Sequence, residues 1–334
     1  MRRREDARLI PTQADVARAA GVSRALVSMA LSGSTEVAEE TRTRILLIAD
    51  ELGYTRNLGA ASLATQSSPI IGVVLPDMRN PFFESLVEAI QNQAEVSGLT
   101  PLVGVSANDP DREEAIIRRF RELRAVGLIA VSPVRGAEAL RETGDQIAFV
   151  ILAAPPAGGR VDTVHVDEDA AAALVMRHLR ERNWRRVVHL PDEQSGRRAW
   201  DEPRRDALRR GAQQAGLPFV TVPEGAPAAE VLTAGGPIRP EDRVAVVAHN
   251  DLQALDVVAA VRSAGLRPGH DVAVVGFDDT YLARRTEFDI TSVRQSPADF
   301  AAYAFSAVER RLASPELDGV VRLVTPTLSV RSSS

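Results

Sequence analysis

Apolar positions follow two different rhythms along this chain. In the first fifty residues they recur every three or four positions, and from Ile70 onward they come in short continuous runs separated by amphipathic segments. Residues 12–31 hold two helical faces, made by Val16, Ala17 and Ala20 and by Val27, Ala30 and Leu31. The pattern predicts two short helices that pack together, followed by a third in ETRTRILLIADELGY, which Gly53 ends.

The segment between the first two helices has the composition of a helix-turn-helix. Gly21 lies at the turn, and Ser23 can cap the second helix. Thr12 can cap the first helix, with Asp15 in its first turn. The second helix leaves four side chains pointing away from the packed face, those of Arg24, Ala25, Ser28 and Met29. In a DNA major groove an arginine can bond guanine, and alanine or methionine can contact a thymine methyl, so the pattern favours DNA binding over an ordinary helix pair.

From Ile70 onward, strand and helix patterns alternate. The strand candidates are IIGVVLP, TPLVGV, GLIAVSP and IAFVIL, then RRVVHL, FVTV, VAVVAH and DVAVVGFD. Helix candidates lie between and after them, at residues 81–97, 109–125, 136–144, 169–183, 200–215, 228–234, 252–264 and 297–313. This alternation predicts two doubly wound α/β halves with a ligand crevice at their strand ends. A last strand, GVVRLVTPTLSV, is expected to cross back between the halves.

Composition narrows the class of protein. The 334 residues are 45% apolar and 25% charged, which is ordinary for a globular protein of two or three domains. The chain has no cysteine, and its five histidines show no metal-ligand spacing, so we expect no structural metal and no cofactor. It lacks a signal-peptide pattern and a run of about 20 apolar residues, so we expect a cytoplasmic protein outside the membrane.

Net charge taken alone argues against a nucleic-acid binder, because it is −5. The average hides an asymmetry: residues 1–66 hold nine arginines and eight acidic residues. Five of those acidic residues lie beyond the helix pair. A modest basic surface around the predicted helix-turn-helix is therefore compatible with DNA binding.

Ten motifs in order resemble the LacI/GalR (lactose-repressor) family of bacterial transcription regulators over nearly the whole chain. They are DVARAAGVS, ETRTRI, LGY with Asn57, residues 60–63, DMRNPFF, HVDED, the Arg204 segment before AGLP, HNDLQAL, DVAVVGFDD and TSVRQ. The resemblance implies a small all-α helix-turn-helix head joined to an α/β core of two parallel-sheet lobes, like a periplasmic binding protein.

The resemblance also implies domain boundaries. The head would span residues 1–56, a hinge helix and linker 57–68, and an effector-binding and dimerisation core 69–334. Within the core, the N-lobe would comprise about 69–165 and 295–317, and the C-lobe about 166–294 and 318–331.

The resemblance assigns DNA contacts by position. Arg24, Ala25 and Met29 would read bases in a pseudo-palindromic operator bound by a homodimer. Four residues would contact phosphates, namely Ser23, Ser28, Tyr54 and Asn57. Leu63 would be pushed into a minor-groove step by the hinge helix and would kink the duplex.

In the core, the resemblance implies a small effector between the lobes, of which a sugar or sugar derivative is expected. Arg204, Asp278 and Asn250 would contact it, with wall positions at Asp77, Phe82, Asp167 and Arg198. A buried arginine, carboxylate and amide can bracket the hydroxyl groups of a sugar.

Several positions depart from the family pattern. Ala38 replaces a capping serine and Asp256 replaces a glycine. Residues 222–243 offer no aromatic ring to cover the ligand, a role for which Trp200 or Phe82 are the candidates. Two alternatives stay open for these reasons: Arg204 and Asp278 form a structural salt bridge, or the core binds no small molecule and the protein regulates without one.

Two other classes of protein fit less well. No G-x-S-x-G, P-loop or G-x-G-x-x-G motif follows a strand, and the adjacent carboxylates Asp278 and Asp279 should point in opposite directions, which argues against an enzyme. A transport protein that binds sugars would share the two lobes but would not need the head. We therefore expect a DNA-binding regulator that acts as a repressor, with no enzymatic activity.

Overall fold

The computed structural model describes residues 11–55, 68–191, 203–233 and 240–334. Contacts divide the chain into two units, Met1–Ser68 and Pro69–Ser334. The second unit begins where the core is predicted to begin. The predicted hinge helix and the effector candidates Arg198 and Trp200 lie outside the described residues.

The described part of the first unit contains three helices. They are α1 (Gln13–Ala20), α2 (Arg24–Leu31) and α3 (Glu39–Glu51). At the start of α1, the backbone N and Oγ1 of Thr12 both donate to Asp15 Oδ2, at 2.9 and 2.6 Å. Gly21 ends this helix with a φ of 67°, a conformation that favours glycine. Ser23 Oγ accepts from the backbone N of Leu26 at 3.1 Å, whereas Ala38 offers α3 no side-chain cap.

The helix-turn-helix packing predicted from the sequence is confirmed. A single cluster of buried side chains joins the three helices, formed by Val16, Ala17, Ala20, Val27, Ala30, Val37, Ile45 and Ala49. Leu31 is only partly buried against this cluster. The first unit therefore has its own small core, which holds α2 at a fixed position beside α1.

The second unit contains two six-stranded sheets, as the alternating pattern predicts. The first sheet has the order β11-β5-β4-β3-β1-β2. Its strands are all parallel, and they are β1 (Ile70–Leu75), β2 (Thr100–Val105), β3 (Gly127–Val131), β4 (Ala148–Leu152), β5 (Asp162–Val166) and β11 (Val321–Val324). Helices cover both faces because the central strands are apolar on both sides. The helices of this lobe are α4 (Pro81–Val96), α5 (Pro110–Glu122), α6 (Ala137–Gly144) and α10 (Pro297–Ala313).

The second sheet repeats this architecture in the order β12-β10-β9-β8-β6-β7. Its strands are β6 (Arg186–Leu190), β7 (Phe219–Thr221), β8 (Val244–Ala248), β9 (Val272–Phe277), β10 (Thr291–Arg294) and β12 (Thr327–Ser329). Its helices are α7 (Glu168–Glu181), α8 (Pro203–Ala215) and α9 (Asp251–Ser263). The helix predicted at 228–234 is a short 3₁₀ helix, Ala228–Leu232, and a second 3₁₀ turn spans Pro240–Asp242.

The last strand differs from the prediction. The expected single strand is two strands in different sheets: β11 lies parallel to β5 in the first sheet, and β12 lies antiparallel to β10 in the second. Pro326 lies between them, and proline has no N–H to continue a ladder of hydrogen bonds. The expectation that 318–331 belongs wholly to the C-lobe is therefore wrong, since residues 321–324 complete the first sheet.

Candidate functional site

The candidate effector residues follow the carboxyl ends of parallel strands. Asp77 comes two residues after β1 and Asp167 directly after β5, in the first lobe. Asn250 comes two residues after β8, and Asp278 directly after β9, in the second lobe. Because the carboxyl ends of parallel strands share one edge of a sheet, each lobe contributes polar side chains to the crevice between them.

Asp278 connects the two lobes. Asn80 precedes α4 in the first lobe, and its Nδ2 donates to Asp278 Oδ2 at 2.8 Å. Gln295, which follows β10, donates from Nε2 to Asp278 Oδ1 at 2.5 Å. Burial raises the pKa of Asp278, and the nearby charge of Arg204 opposes that rise. The carboxylate thus lies in the crevice with an amide donor on each oxygen.

Arg204 pairs with Glu168, whereas the sequence analysis considered a salt bridge with Asp278. Its Nε lies 3.2 and 3.1 Å from Oε1 and Oε2 of Glu168, and its Nη2 lies 3.0 Å from Oε1. Its Nη1 donates to the backbone carbonyl of His249 at 2.5 Å, and its guanidinium carbon lies 4.1 Å from the ring centre of Phe277. The proposed direct Arg204–Asp278 salt bridge is therefore replaced by an Arg204–Glu168 bridge. This bridge positions the guanidinium beside the start of residues 278–282, which follow β9 and are called the Asp278 loop below.

Asp251, the first residue of α9, fixes the Asp278 loop by accepting three hydrogen bonds. Its Oδ2 accepts from the backbone N and the Oγ1 of Thr280, at 2.7 and 2.9 Å, and its Oδ1 accepts from Ser292 Oγ at 2.6 Å. A Cβ at Gly276 would lie 2.3 Å from Asp251 Oδ1, so only glycine leaves room for this carboxyl group. Burial and the neighbouring Asp278 raise the pKa of Asp251 to about 7.

The Asp278 loop needs this support because its backbone is unusual. Asp278 and Asp279 both have positive φ values, 101° and 53°, a region that residues other than glycine adopt at a cost. The backbone N of Asp279 donates to Ser292 Oγ at 2.9 Å, and Asp279 itself pairs with Arg331 and Arg284. The loop is thereby held in the conformation that presents Asp278 to the crevice.

The three remaining polar candidates make local hydrogen bonds. Asn250 Oδ1 accepts from the backbone N of Gln253, and Asp167 Oδ1 accepts from that of Ala170, both at 2.9 Å. Asp77 Oδ1 accepts from the backbone N of Arg79 at 2.8 Å. All three candidates are partly exposed, so they combine a structural hydrogen bond with remaining capacity for a ligand.

Phe82 does not have the geometry expected of a ligand cover. Its side chain is 4% exposed and belongs to the core of the first lobe. Its ring makes edge-to-face contacts with Phe83 and Phe300, each with ring centres 6.0 Å apart. Phe82 follows Pro81 on the first turn of α4, and the apolar face of that helix carries it inward. The expectation that Phe82 covers the effector is wrong for this reason.

Three site residues were missed in the sequence reasoning, namely Asn80, Glu168 and Gln295, whereas Asp251 was expected to face the crevice beside Asn250. Asn80 carried a usable signal, because an asparagine directly before a proline is typical of a helix N-terminus, and this helix follows the first strand. Asp251 lies next to Asn250 at another helix start. Nothing in the local pattern could have paired Glu168 with Arg204 or Gln295 with Asp278.

The candidate DNA-reading surface lies on α2. Ser23, Arg24, Ala25 and Ser28 are exposed, as expected. Met29 and Tyr54 are only partly exposed, because both also pack against the core of the head. The expectation that Met29 points fully away from the packed face is therefore too strong. Asn57 and Leu63 lie outside the described residues.

Comparison with known proteins identifies the family to which this chain belongs. The family described as bacterial regulatory proteins, lacI family, matches residues 12–57, and a periplasmic-binding-protein-like domain matches 176–334. The transcriptional regulator GalS of Salmonella typhimurium is 32% identical over 299 residues, which cover 87% of this chain and 86% of GalS. The chain belongs to the LacI family. Like its relatives, it is a DNA-binding transcriptional regulator and not an enzyme.

Solved structures of LacI-family proteins share the fold. The Lac repressor bound to ONPG superposes with a TM-score of 0.81 and 21% identity, over 97% of this chain and 100% of the repressor. The regulator CelR in complex with cellobiose superposes with a TM-score of 0.66 and 23% identity, over 97% and 100% of the two chains.

In the part of the chain that the structure describes, no helix has the length and apolar character needed to span a bilayer.

Proposed function

We propose that this LacI-family regulator is a repressor that binds a pseudo-palindromic operator as a homodimer, and that a small polyhydroxylated effector controls its affinity. The effector, a sugar or sugar derivative, binds between the lobes at Asp278. Because its partner is bacterial DNA, we place the protein in the cytoplasm. The observation that carries this proposal is the position of Asp278, a buried carboxylate whose two oxygens accept amide donors from the two sides of the crevice.

DNA recognition would use the exposed face of α2. Arg24 and Ala25 would contact base edges, with Met29 reaching them from its partly packed position, and three of the four phosphate contacts would come from Ser23, Ser28 and Tyr54. One helix offers about three base-reading side chains, and each good contact gives about 1–3 kcal/mol of discrimination, so two heads are needed to select one site. This requirement supports the homodimer.

The linker would complete the DNA contacts. Asn57 would bind phosphate, and Leu63 would open a central base step. Pyrimidine–purine steps unstack at low cost, so Leu63→Ala should weaken specific binding more than nonspecific binding. Equal losses on operator and random DNA, with no change in bend angle, would assign Leu63 to packing instead.

Effector control would use the lobe-bridging hydrogen bond. Hydroxyl groups of a sugar can donate to Asp278 in place of the amide of Asn80, since carboxylates accept such hydrogen bonds strongly. Asn250, Asp77 and Asp167 would add contacts from both lobes, and Arg198 is a further candidate. Arg204 would act mainly by holding Glu168 and His249 in place. A ligand that binds two lobe arrangements differently shifts their populations, and the heads then respond to the shift.

Thermal-shift measurements with sugars, sugar phosphates, nucleosides and amino acids test the effector assignment. At least one neutral sugar should raise the melting temperature of the wild type, and Asp278→Asn should lose that response. The matched control is Asp162→Asn. Asp162 is also a buried and hydrogen-bonded carboxylate, but it begins β5, away from the crevice, and it pairs with Arg310 and Arg311. The control should melt lower yet keep the response. A response that survives Asp278→Asn would contradict the assigned site.

A second candidate function is regulation without a small molecule. The observation that favours it is the salt bridge between Glu168 and Arg204, which occupies the guanidinium expected to contact an effector. A wild type that no compound stabilises, with an Asp278→Asn variant that merely melts lower, would support this alternative.

A further inference from the structure

The second lobe contains a cavity between the end of β6 and α9. Its volume is about 340 Å³, within the range of about 300–1,000 Å³ that small-molecule pockets occupy. The end of β6, the four small residues 225–228 and two side chains of α9 line it. The small residues lie in the segment that offers no aromatic ring, so the wall leaves open space where a larger side chain would fill it.

A buried carbonyl without a donor lies at this cavity. Gln253, one of the two lining residues of α9, is 6% exposed. Its Nε2 donates to the backbone carbonyl of Pro191 at 2.8 Å, which fixes the orientation of the amide. Its Oε1 has no hydrogen-bond partner among the described residues. A buried acceptor in this state is costly, and a ligand group that donates to it would remove the cost.

The second lining side chain adds negative charge. Asp256 follows Gln253 by three residues, so both lie on one face of α9. Asp256 is exposed, so its carboxylate lies at the rim of the cavity. An acceptor inside and a carboxylate at the rim favour hydroxyl or ammonium groups and disfavour anions.

The cavity adjoins the Asp278 site through the first turn of α9. Asn250 Oδ1 accepts from the backbone N of Gln253 at 2.9 Å, so an effector candidate is bonded to the cavity-lining residue. Three residues advance a helix by about 4.5 Å, which is less than the width of a sugar ring and its hydroxyls. A ligand held at Asn250 and Asp278 can therefore extend toward Gln253.

We propose that this cavity is a second subsite that takes a hydroxyl- or ammonium-bearing extension of the effector, such as the second ring of a disaccharide. Gln253 Oε1 accepts from that group, and Asp256 excludes anionic extensions. This inference rests on the proposed effector function, since it names a further part of the same ligand.

The cavity and its charge can be tested without knowing the effector. The chain has no cysteine, so Ala228→Cys introduces a single thiol at the cavity wall. Its reaction rates are compared for a cationic and an anionic methanethiosulfonate. The matched control is Ala215→Cys, because Ala215 is partly buried in the same lobe but packs on the opposite face of the sheet. The cationic reagent should react several-fold faster at the cavity, and adding Asp256→Asn should remove that preference. Equal rates for both reagents, or the same preference in the control, would overturn the proposal.

The ligand is tested with sugar pairs. Thermal shifts are compared for cellobiose with glucose and for lactose with galactose. A disaccharide should stabilise the wild type more than its monosaccharide, and Ala228→Phe, which fills the cavity, should remove only this difference. Gln253→Leu, which removes the accepting Oε1, provides a second variant if the filled protein does not fold. A disaccharide advantage that persists in both variants would overturn the subsite. Absence of any sugar response counts against the Asp278 site, whereas a missing labelling preference counts against the cavity alone, so the two failures are distinguished.

Discussion

The hydrogen bond between Asn80 and Asp278 should control how firmly the two lobes stay together. Asn80→Ser removes the Nδ2 donor but keeps a side-chain oxygen that can cap α4, where Asn80 Oδ1 now accepts from the backbone N of Phe82 at 3.0 Å. The substitution therefore separates the bridging role of Asn80 from its capping role. Gln295 remains as a donor to the other oxygen of Asp278.

The magnitude follows from the type of hydrogen bond. Hydrogen bonds to charged groups contribute about 1.5–3 kcal/mol, so Asn80→Ser should destabilise the bridged arrangement by about 2 kcal/mol. Because each 1.4 kcal/mol changes an equilibrium tenfold, the ratio of bridged to unbridged protein should fall about thirtyfold.

Hydrogen exchange followed by mass spectrometry measures this change. Peptides that cover residues 77–83 and 278–282 should exchange faster in Asn80→Ser than in the wild type. The matched control is Asp109→Ser, because Asp109 caps α5 by accepting from the backbone N of Asp111 and Arg112, but it is exposed and makes no contact across the crevice. The reasoning is refuted if Asn80→Ser leaves the exchange of the Asp278 loop unchanged, as the control variant should.

Three further predictions concern other parts of the chain. The pKa of Asp251 is raised to about 7, so the stability that its protonated form contributes should be present at pH 4 and lost as the pH rises through 7. Urea unfolding should therefore show that the free energy of unfolding falls less over this pH range in Asp251→Asn than in the wild type. Arg24→Ala should relax base preference at one symmetric position in each half of the operator, measured by selection from random DNA; uniform weakening would assign Arg24 to phosphate. Ala38→Ser should stabilise the head by about 1 kcal/mol, because α3 has no side-chain cap, and an unchanged melting temperature would argue against this.

Much of the fold could be predicted because its signals are local. Spacing of apolar residues indicates the helices of the head, and continuous apolar runs such as 244–248 indicate strands buried on both faces. The helix predicted at 297–313 has the observed bounds, since Ser296 caps it and Pro297 begins it. The sheet to which a strand belongs has no such signal, which is why the crossing after Val324 was misplaced.

The candidate site was predictable in its positions but not in its pairings. The motifs indicate where Asp278 and Arg204 lie, because strand ends and helix starts can be read along the chain. Their partners come from remote segments: Asn80 is 198 residues from Asp278, and Glu168 is 36 residues from Arg204. Phe82 shows the same limit, since only the packing of α4 against α10 reveals that its ring belongs to the core.

Operator affinity measured with and without a stabilising sugar tests the central claim most directly. The DNA is selected from a random pool by the purified protein, and binding is followed by fluorescence anisotropy in the wild type, Asp278→Asn and Asp162→Asn. Allosteric coupling of about 1–3 kcal/mol corresponds to a change of about 5- to 150-fold in affinity. We expect the sugar to change the operator Kd by such a factor in the wild type and Asp162→Asn, and to leave Asp278→Asn unchanged. A sugar that binds the wild type without changing its operator Kd would contradict the account.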